Sequence, residues 1–189
     1  MDKIQQLQDM IDQSQNIVFF GGAGVSTESN IPDFRSSDGI YSVKLGRHFT
    51  AEQLVSHTMF ERYPQEFFDF YKKYLLYPDA KPNAAHAYLA HLEKTGKLKA
   101  VVTQNIDSLH EMAGSKNVLK LHGSADRNFC LDCQRFYDLE AFLTLPGTVP
   151  YCPDCSGVIK PDVTLYEETL DMETFQQAAQ AIHQADLLI

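Results

Sequence analysis

Four cysteines stand in two matched pairs, Cys130-x-x-Cys133 and Cys152-x-x-Cys155, with eighteen residues between the pairs. Two residues between thiolates make a tight knuckle that turns both sulfurs toward one ion, and two knuckles complete a tetrahedral Zn2+ site. Two disulfides would use the same residues, although a reducing cytosol disfavours them. Four thiolates leave no position for water or substrate, so a single zinc ion here is structural and no cysteine is left to act as a nucleophile.

A second group of chemistry-bearing residues surrounds a glycine turn. Gly22-Ala23-Gly24-Val25-Ser26-Thr27 directly follows the apolar run Ile17-Val18-Phe19-Phe20. Glycines in that setting let the backbone approach a dinucleotide pyrophosphate, and N–H groups at a helix start receive its charge. Thr27 stands where a G-x-G-x-x-G fingerprint has its third glycine, and no acidic residue closes a second strand about twenty residues on. A ligand-free strand-to-helix turn therefore fits the loop equally well. The following segment, Ile31-Pro32-Asp33-Phe34-Arg35, favours a ligand. Pro32 fixes its own φ and restrains Ile31, while Asn30 suits a left-handed turn. Phe34 can then cover a ring and Arg35 can meet phosphate oxygens. Gln104-Asn105-Ile106-Asp107 and Leu121-His122-Gly123 each follow a predicted strand, at the carboxyl edge where open α/β sheets bind ligands.

The elements that must position these groups are legible in the hydrophobic pattern. Ile4, Leu7, Met10 and Ile11 give residues 2–14 a helical period with Asp2 as N-cap. Residues 17–20, 98–103, 118–121, 163–166 and 186–189 read as strands. Helices are predicted from the Thr50-x-x-Gln53 capping box, after Pro64, over 83–92, over 108–112 and over 172–183. The stripe Phe67, Phe68, Tyr71, Tyr74 and Leu75 reads as core packing. Strands separated by helices imply an α/β fold, a doubly wound parallel (Rossmann-like) sheet with an inserted four-cysteine zinc-ribbon module. The domain division is 1–123 with 159–189 for the dinucleotide-binding unit, and 124–158 for the zinc module. The last residues look like the start of a core strand, which is the expectation for a truncated protein.

The chain has 189 residues, 16 basic and 25 acidic, a net charge of −9 and an isoelectric point near 5.1. That balance argues against a nucleic-acid partner. No apolar run approaches a membrane span, and the polar start Met1-Asp2-Lys3-Ile4-Gln5-Gln6 is no secretory signal, so a cytoplasmic location with no membrane partner is expected.

Five short words, Gly22-Ala23-Gly24-Val25-Ser26, Ile31-Pro32-Asp33-Phe34-Arg35, Thr103-Gln104-Asn105-Ile106-Asp107, Leu121-His122-Gly123 and the paired cysteines, resemble those of the sirtuins, NAD-dependent protein lysine deacylases. They occur in the family's order over nearly the whole chain. The resemblance implies NAD as cofactor, bound by Ala23, Thr27, Phe34 and Arg35 together with Gly22, Gly24, Ser26 and Asp33. Gln104 and Asn105 would approach the nicotinamide ribose, with Asn105 counted as catalytic, and Ile106 and Asp107 would hold the carboxamide. His122 would be the general base, a role that suits histidine as a residue type, whose ordinary pKa is about 6.5. Val163 would offer backbone groups to a peptide lying as an added strand. The implied partner is an acetylated-lysine protein or peptide, whose carbonyl oxygen attacks the ribose carbon as nicotinamide leaves.

Three departures from the family pattern stand out. Asn30 replaces the glycine of Gly-Ile-Pro-Asp, and Tyr166-Glu167-Glu168 replaces Phe-Gly-Glu. Tyr71-x-x-Tyr74 lacks the arginine of relatives that take acidic acyl groups, and an unpaired carboxylate in an apolar tunnel is costly. An uncharged acyl group, acetyl first, is therefore expected. The family's later Gly-Thr-Ser turn would lie beyond Ile189, so weak NAD binding by this chain is expected too. ADP-ribosyl transfer by the same site, a non-catalytic zinc-ribbon interaction module and an ordinary NAD dehydrogenase are the competing readings.

Overall fold

The computed structural model describes residues 2–34, 36, 39–40 and 49–189. Helix α1 (Lys3–Gln13) starts at Asp2, whose carboxylate accepts the Ile4 N–H. Only Ile11 of its apolar stripe is buried; Ile4, Leu7 and Met10 remain exposed. Strands β1 (Ile17–Gly21), β2 (Leu98–Thr103), β3 (Val118–Lys120) and β7 (Leu187–Leu188) form a parallel sheet in the order β3-β2-β1-β7.

Alternation along these strands divides their side chains between two cores. Ile17, Leu98, Val101 and Leu187 pack with Ile11 and with Leu89 and Leu92 of α5 (Ala84–Lys94). Val18, Ala100 and Val102 pack with Ala178 of α8 (Met172–His183). Helices therefore cover both faces, as a doubly wound sheet requires.

Between β1 and β2 lie a 3-10 helix (Ala23–Ser29) and the helices α2 (Ala51–Leu54), α3 (His57–Arg62) and α4 (Pro64–Tyr74). Thr50 and Gln53 make the reciprocal capping box, and Pro64 occupies the first turn of α4, where its missing N–H costs nothing. Phe67, Phe68 and Tyr71 are fully buried beside Phe142 of α7 (Leu139–Thr144). Truncating one such ring to alanine typically costs about 3–5 kcal/mol.

A second sheet corrects the sequence-based reading. β4 (Gly123–Cys130), β5 (Phe136–Tyr137) and β6 (Ile159–Val163) pair antiparallel in the order β5-β4-β6. The strand predicted over 163–166 is thus not a member of the parallel sheet. The strand ends at Val163, and Tyr166 makes only an isolated bridge to Ser56. Pro161 masks β6 in the sequence, because proline normally argues against a strand; an edge strand such as β6 tolerates it. Residues 159–163 accordingly pair with the cysteine-bearing strand β4 rather than with the parallel strands.

Candidate active site

β1, β2 and β3 end on one rim. Gln104 N–H donates to the Gly21 carbonyl at 3.0 Å, and Leu121 N–H to the Thr103 carbonyl at 2.9 Å. These bonds bring the loops after the three strands together around a cavity of about 770 Å3, a volume typical of ligand sites. Gly22, Ala23, Gly24, Ser26, Asp33, Phe34, Gln104, Asn105, Ile106, Asp107, His122 and Val163 all border it. Thr27 does not; it is exposed, and its hydroxyl donates to the Gly24 carbonyl at 2.9 Å. Arg35 lies outside the described residues.

The glycine turn leads into a 3-10 helix that ends at Asn30 in the left-handed conformation, φ 63°. A Cβ on Gly24 would meet nothing within 4 Å, and one on Gly22 only Gln104 Oε1 at 3.6 Å. The backbone here is open to a ligand, which fits a pyrophosphate. Asn83, which sequence reasoning missed, holds this turn: its amide donates to the Val25 carbonyl at 2.8 Å and to Ser29 Oγ at 3.1 Å. The segment Pro82-Asn83-x-x-His86 was the available signal, since Asn83 also caps α5 in a reciprocal box with His86. Asp33 turns its carboxylate to the Ser36 N–H at 2.9 Å, and so shapes the loop that carries Phe34.

Asn105 and Ser26 are buried polar residues joined in one chain of hydrogen bonds. Asn105 Nδ2 donates to Ser26 Oγ at 3.0 Å, and Ser26 Oγ donates to Asp107 Oδ2 at 3.0 Å. Thr103 Oγ1 accepts the Asn105 N–H, and Asp107 Oδ1 accepts the Leu109 N–H at the start of α6 (Leu109–Ala113). Such a network fixes polar groups in place before any ligand arrives. His122 borders the same cavity. Its Nδ1 lies 2.9 Å from the Gln104 carbonyl oxygen. A carbonyl only accepts, so Nδ1 carries the proton and Nε2 keeps a lone pair. Gly123 supports this placement: its φ is 75°, and a Cβ there would lie 2.0 Å from the Asp162 carbonyl oxygen. Asp126, also missed, lines the cavity and accepts the Ser108 hydroxyl, while Lys120 reaches Ser108 Oγ at 2.9 Å. Nothing in the sequence marks it, because it lies on β4 outside the motifs.

Behind the rim, His86 of α5 and His110 of α6 meet edge to face, with 4.7 Å between ring centroids and planes inclined at 61°, both buried. Neither ring nitrogen of His110 has a partner among the described residues. Desolvation, with His86 next in weight, pushes His110 down to about 4.

One wall of the cavity is Val163, Thr164, Leu165 and Tyr166. Thr164 N–H donates to the His122 carbonyl at 3.0 Å, and Tyr166 N–H to the Val55 carbonyl at 3.1 Å. Tyr71 and Tyr74 also line the cavity. The Tyr71 hydroxyl is buried without a partner among the described residues, and burial raises its pKa. The described lining includes Asp33, Asp107, Asp126, Glu167 and Glu168 and no lysine or arginine.

The four cysteine sulfurs lie within 4.8 Å of one another. Cys130 and Cys155 Sγ are 3.4 Å apart, and Cys133 and Cys152 Sγ 3.7 Å. A zinc–thiolate tetrahedron has edges of about 3.8 Å, so the set fits one zinc ion and none of the cysteines is in a disulfide. Tyr137 Oη donates to Cys152 Sγ at 3.1 Å. That bond is the first cause holding the Cys152 thiol down to about 6. Among the described residues no helix is long and apolar enough to cross a membrane.

The Sir2 family model matches residues 22–189. An NAD-dependent protein deacetylase of Clostridium perfringens is 62% identical over 188 residues, covering 100% of this chain and 77% of the relative. One from Clostridium acetobutylicum is 53% identical, with 100% and 77% covered. Among solved structures, Sir2 bound to acetylated peptide aligns with a TM-score of 0.83 at 35% identity, over 100% of this chain and 74% of that one. A complex of Sir2, p53 peptide and NAD+ aligns with a TM-score of 0.84 at 36% identity, over 99% and 74%.

Proposed function

Because this chain belongs to the Sir2 family, we propose that it is an NAD-dependent protein lysine deacetylase, moving the acetyl group of acetyl-lysine to ADP-ribose with release of nicotinamide. The observation that carries the reading is His122, whose protonated Nδ1 is held by Gln104 while the cavity is shared with the glycine turn and the Ser26–Asn105–Asp107 chain. Bound NAD supplies a ribose carbon activated by a cationic leaving group. Gly22, Ala23 and Gly24 offer main chain to its pyrophosphate, and Asn105 and Asp107 orient its nicotinamide end. His122 Nε2 takes a proton from a hydroxyl in the cavity. The main chain at Val163 receives the peptide. The described lining, acidic and aromatic and without lysine or arginine, supports acetyl or another uncharged acyl group over a dicarboxylic one. The same reading sets the protein in the reducing cytoplasm, where four thiols stay available to zinc.

Incubation of an acetyl-lysine peptide with NAD, followed by mass spectrometry, tests this. Loss of the acetyl group with matching free nicotinamide and no NADH absorbance is the expected result. ADP-ribose attached to the peptide would identify protein transfer instead, and an unchanged peptide would overturn the reading.

A further inference from the structure

The segment after β6 is tied to α3 through side chains as well as through main chain. The parallel bridge between Ser56 and Tyr166 supplies the main-chain part, with His57 N–H donating to the Tyr166 carbonyl at 2.9 Å. Next comes Glu167, whose φ is 75°. That is the left-handed region, where a side chain is strained and glycine is favoured. The Glu167 carboxylate accepts both the Thr58 N–H at 2.9 Å and the Thr58 hydroxyl at 2.7 Å, in the first turn of α3. Glu168 then folds back. Its Oε2 accepts the Leu165 N–H at 2.9 Å and meets Lys160 Nζ at 3.2 Å, while Oε1 pairs with His57 Nδ1 at 2.9 Å. The chain thus accepts an unfavourable backbone conformation at residue 167 and offsets it with two hydrogen bonds to a carboxylate, which are among the stronger kind.

We infer that Glu167 and Thr58 form a clamp that holds residues 163–166 in the shape that receives the acetylated peptide, so that Glu167 is a positioning residue for substrate capture. The inference rests on the deacetylase reading and adds to it a residue outside the groups assigned to NAD and to the base. The fixed wall is pre-organised, and its ordering cost is already met before the peptide binds. His57 and Glu168 hold the far end of the same turn, with Glu61 3.3 Å from the other nitrogen of His57.

Glycine at position 167 separates the clamp from mere stability, because it relieves the strained φ while deleting the carboxylate. Glu167→Gly should keep the parent's unfolding midpoint or exceed it, yet raise KM for an acetyl-lysine peptide about tenfold with kcat within about twofold. Thr58→Val should behave in the same direction, and Glu167→Gln, which keeps an acceptor oxygen, should restore KM to near the parent's. Amide hydrogen exchange of the full chain without ligand reads the clamp directly: Leu165 and Tyr166 should exchange faster in Glu167→Gly. Unchanged protection in that variant overturns the clamp whether or not any peptide is turned over. Faster exchange with an unchanged KM overturns the positioning role. A parent protein that fails to deacylate refutes the deacetylase reading, and the exchange data still decide the clamp.

Discussion

His122 shows what a single residue type conveys and what it leaves out. A histidine after a predicted strand marks a candidate base, but the tautomer comes from the Gln104 main-chain carbonyl 2.9 Å from Nδ1. General-base catalysis contributes about 100- to 10,000-fold. His122→Ala should lower kcat by that range, with zinc content and unfolding midpoint unchanged; turnover near the parent's would remove it from the role. Tyr137 acts on the metal in a comparable indirect way. Its hydroxyl, 3.1 Å from Cys152 Sγ, helps carry the negative charge of a four-thiolate site. Partners of this kind are worth about 10- to 100-fold in metal affinity. Tyr137→Phe preserves the ring in its buried place, so zinc affinity, read by competition with a chromogenic chelator, should drop by that factor. A variant that holds zinc as tightly as the parent would show that the hydroxyl only fills space.

At the scale of elements, α5 and α6 meet through an imidazole pair that resists protonation. His110 titrates near 4 in the folded chain against about 6.5 when unfolded. Across that window the unfolded chain binds a proton that the folded chain refuses, so stability falls as pH drops from about 6.5 toward about 4. The full effect is about 3 kcal/mol for a side chain this buried. His57 works the other way: its bond to Glu168 raises its pKa, giving stability that is complete below about 6.5 and lost as pH rises through the raised value. Urea unfolding of His110→Leu and the parent at pH 7 and pH 5 isolates the first term. The parent should lose stability on acidification relative to the variant, and parallel behaviour would refute the assignment. Sequence alone placed the helices that carry His86 and His110, because Asn83, Gly96 and Gly114 are strong local punctuation. It could not place β6, where Pro161 hides an edge strand, nor show that Thr27 turns away from the cavity. Those outcomes depend on partners far along the chain, which periodicity does not report.

Across the whole molecule, the zinc module and the helical layer share one core. Cys130, Cys152, Phe142 and Ile159 belong to the same buried cluster as Phe60, Phe67, Phe68 and Tyr71. The two cores flanking the parallel sheet contain none of these residues. The spacing of the cysteines revealed the metal, but not this continuity, since it arises from α7 packing beneath α4. Phe142 meets Phe68 and Tyr71 at 6.3 Å between ring centroids. Metal binding is folding free energy for small thiolate modules, so zinc removal should not stay local. Loss of the ion frees β4, β5 and β6, withdraws Phe142 and Ile159 from the aromatic cluster, and loosens α3 and α4. β1 and β2 keep their own cores. Hydrogen exchange after chelation should therefore show amides of residues 67–71 and 159–163 losing protection together, while Val101 and Val102 retain theirs. Gly123 both opens β4 and pairs with Val163, so His122, its neighbour, lies at the junction, and activity should vanish although the glycine turn remains folded. Retained protection at 67–71 in the metal-free protein would show that the shared core is held by packing alone.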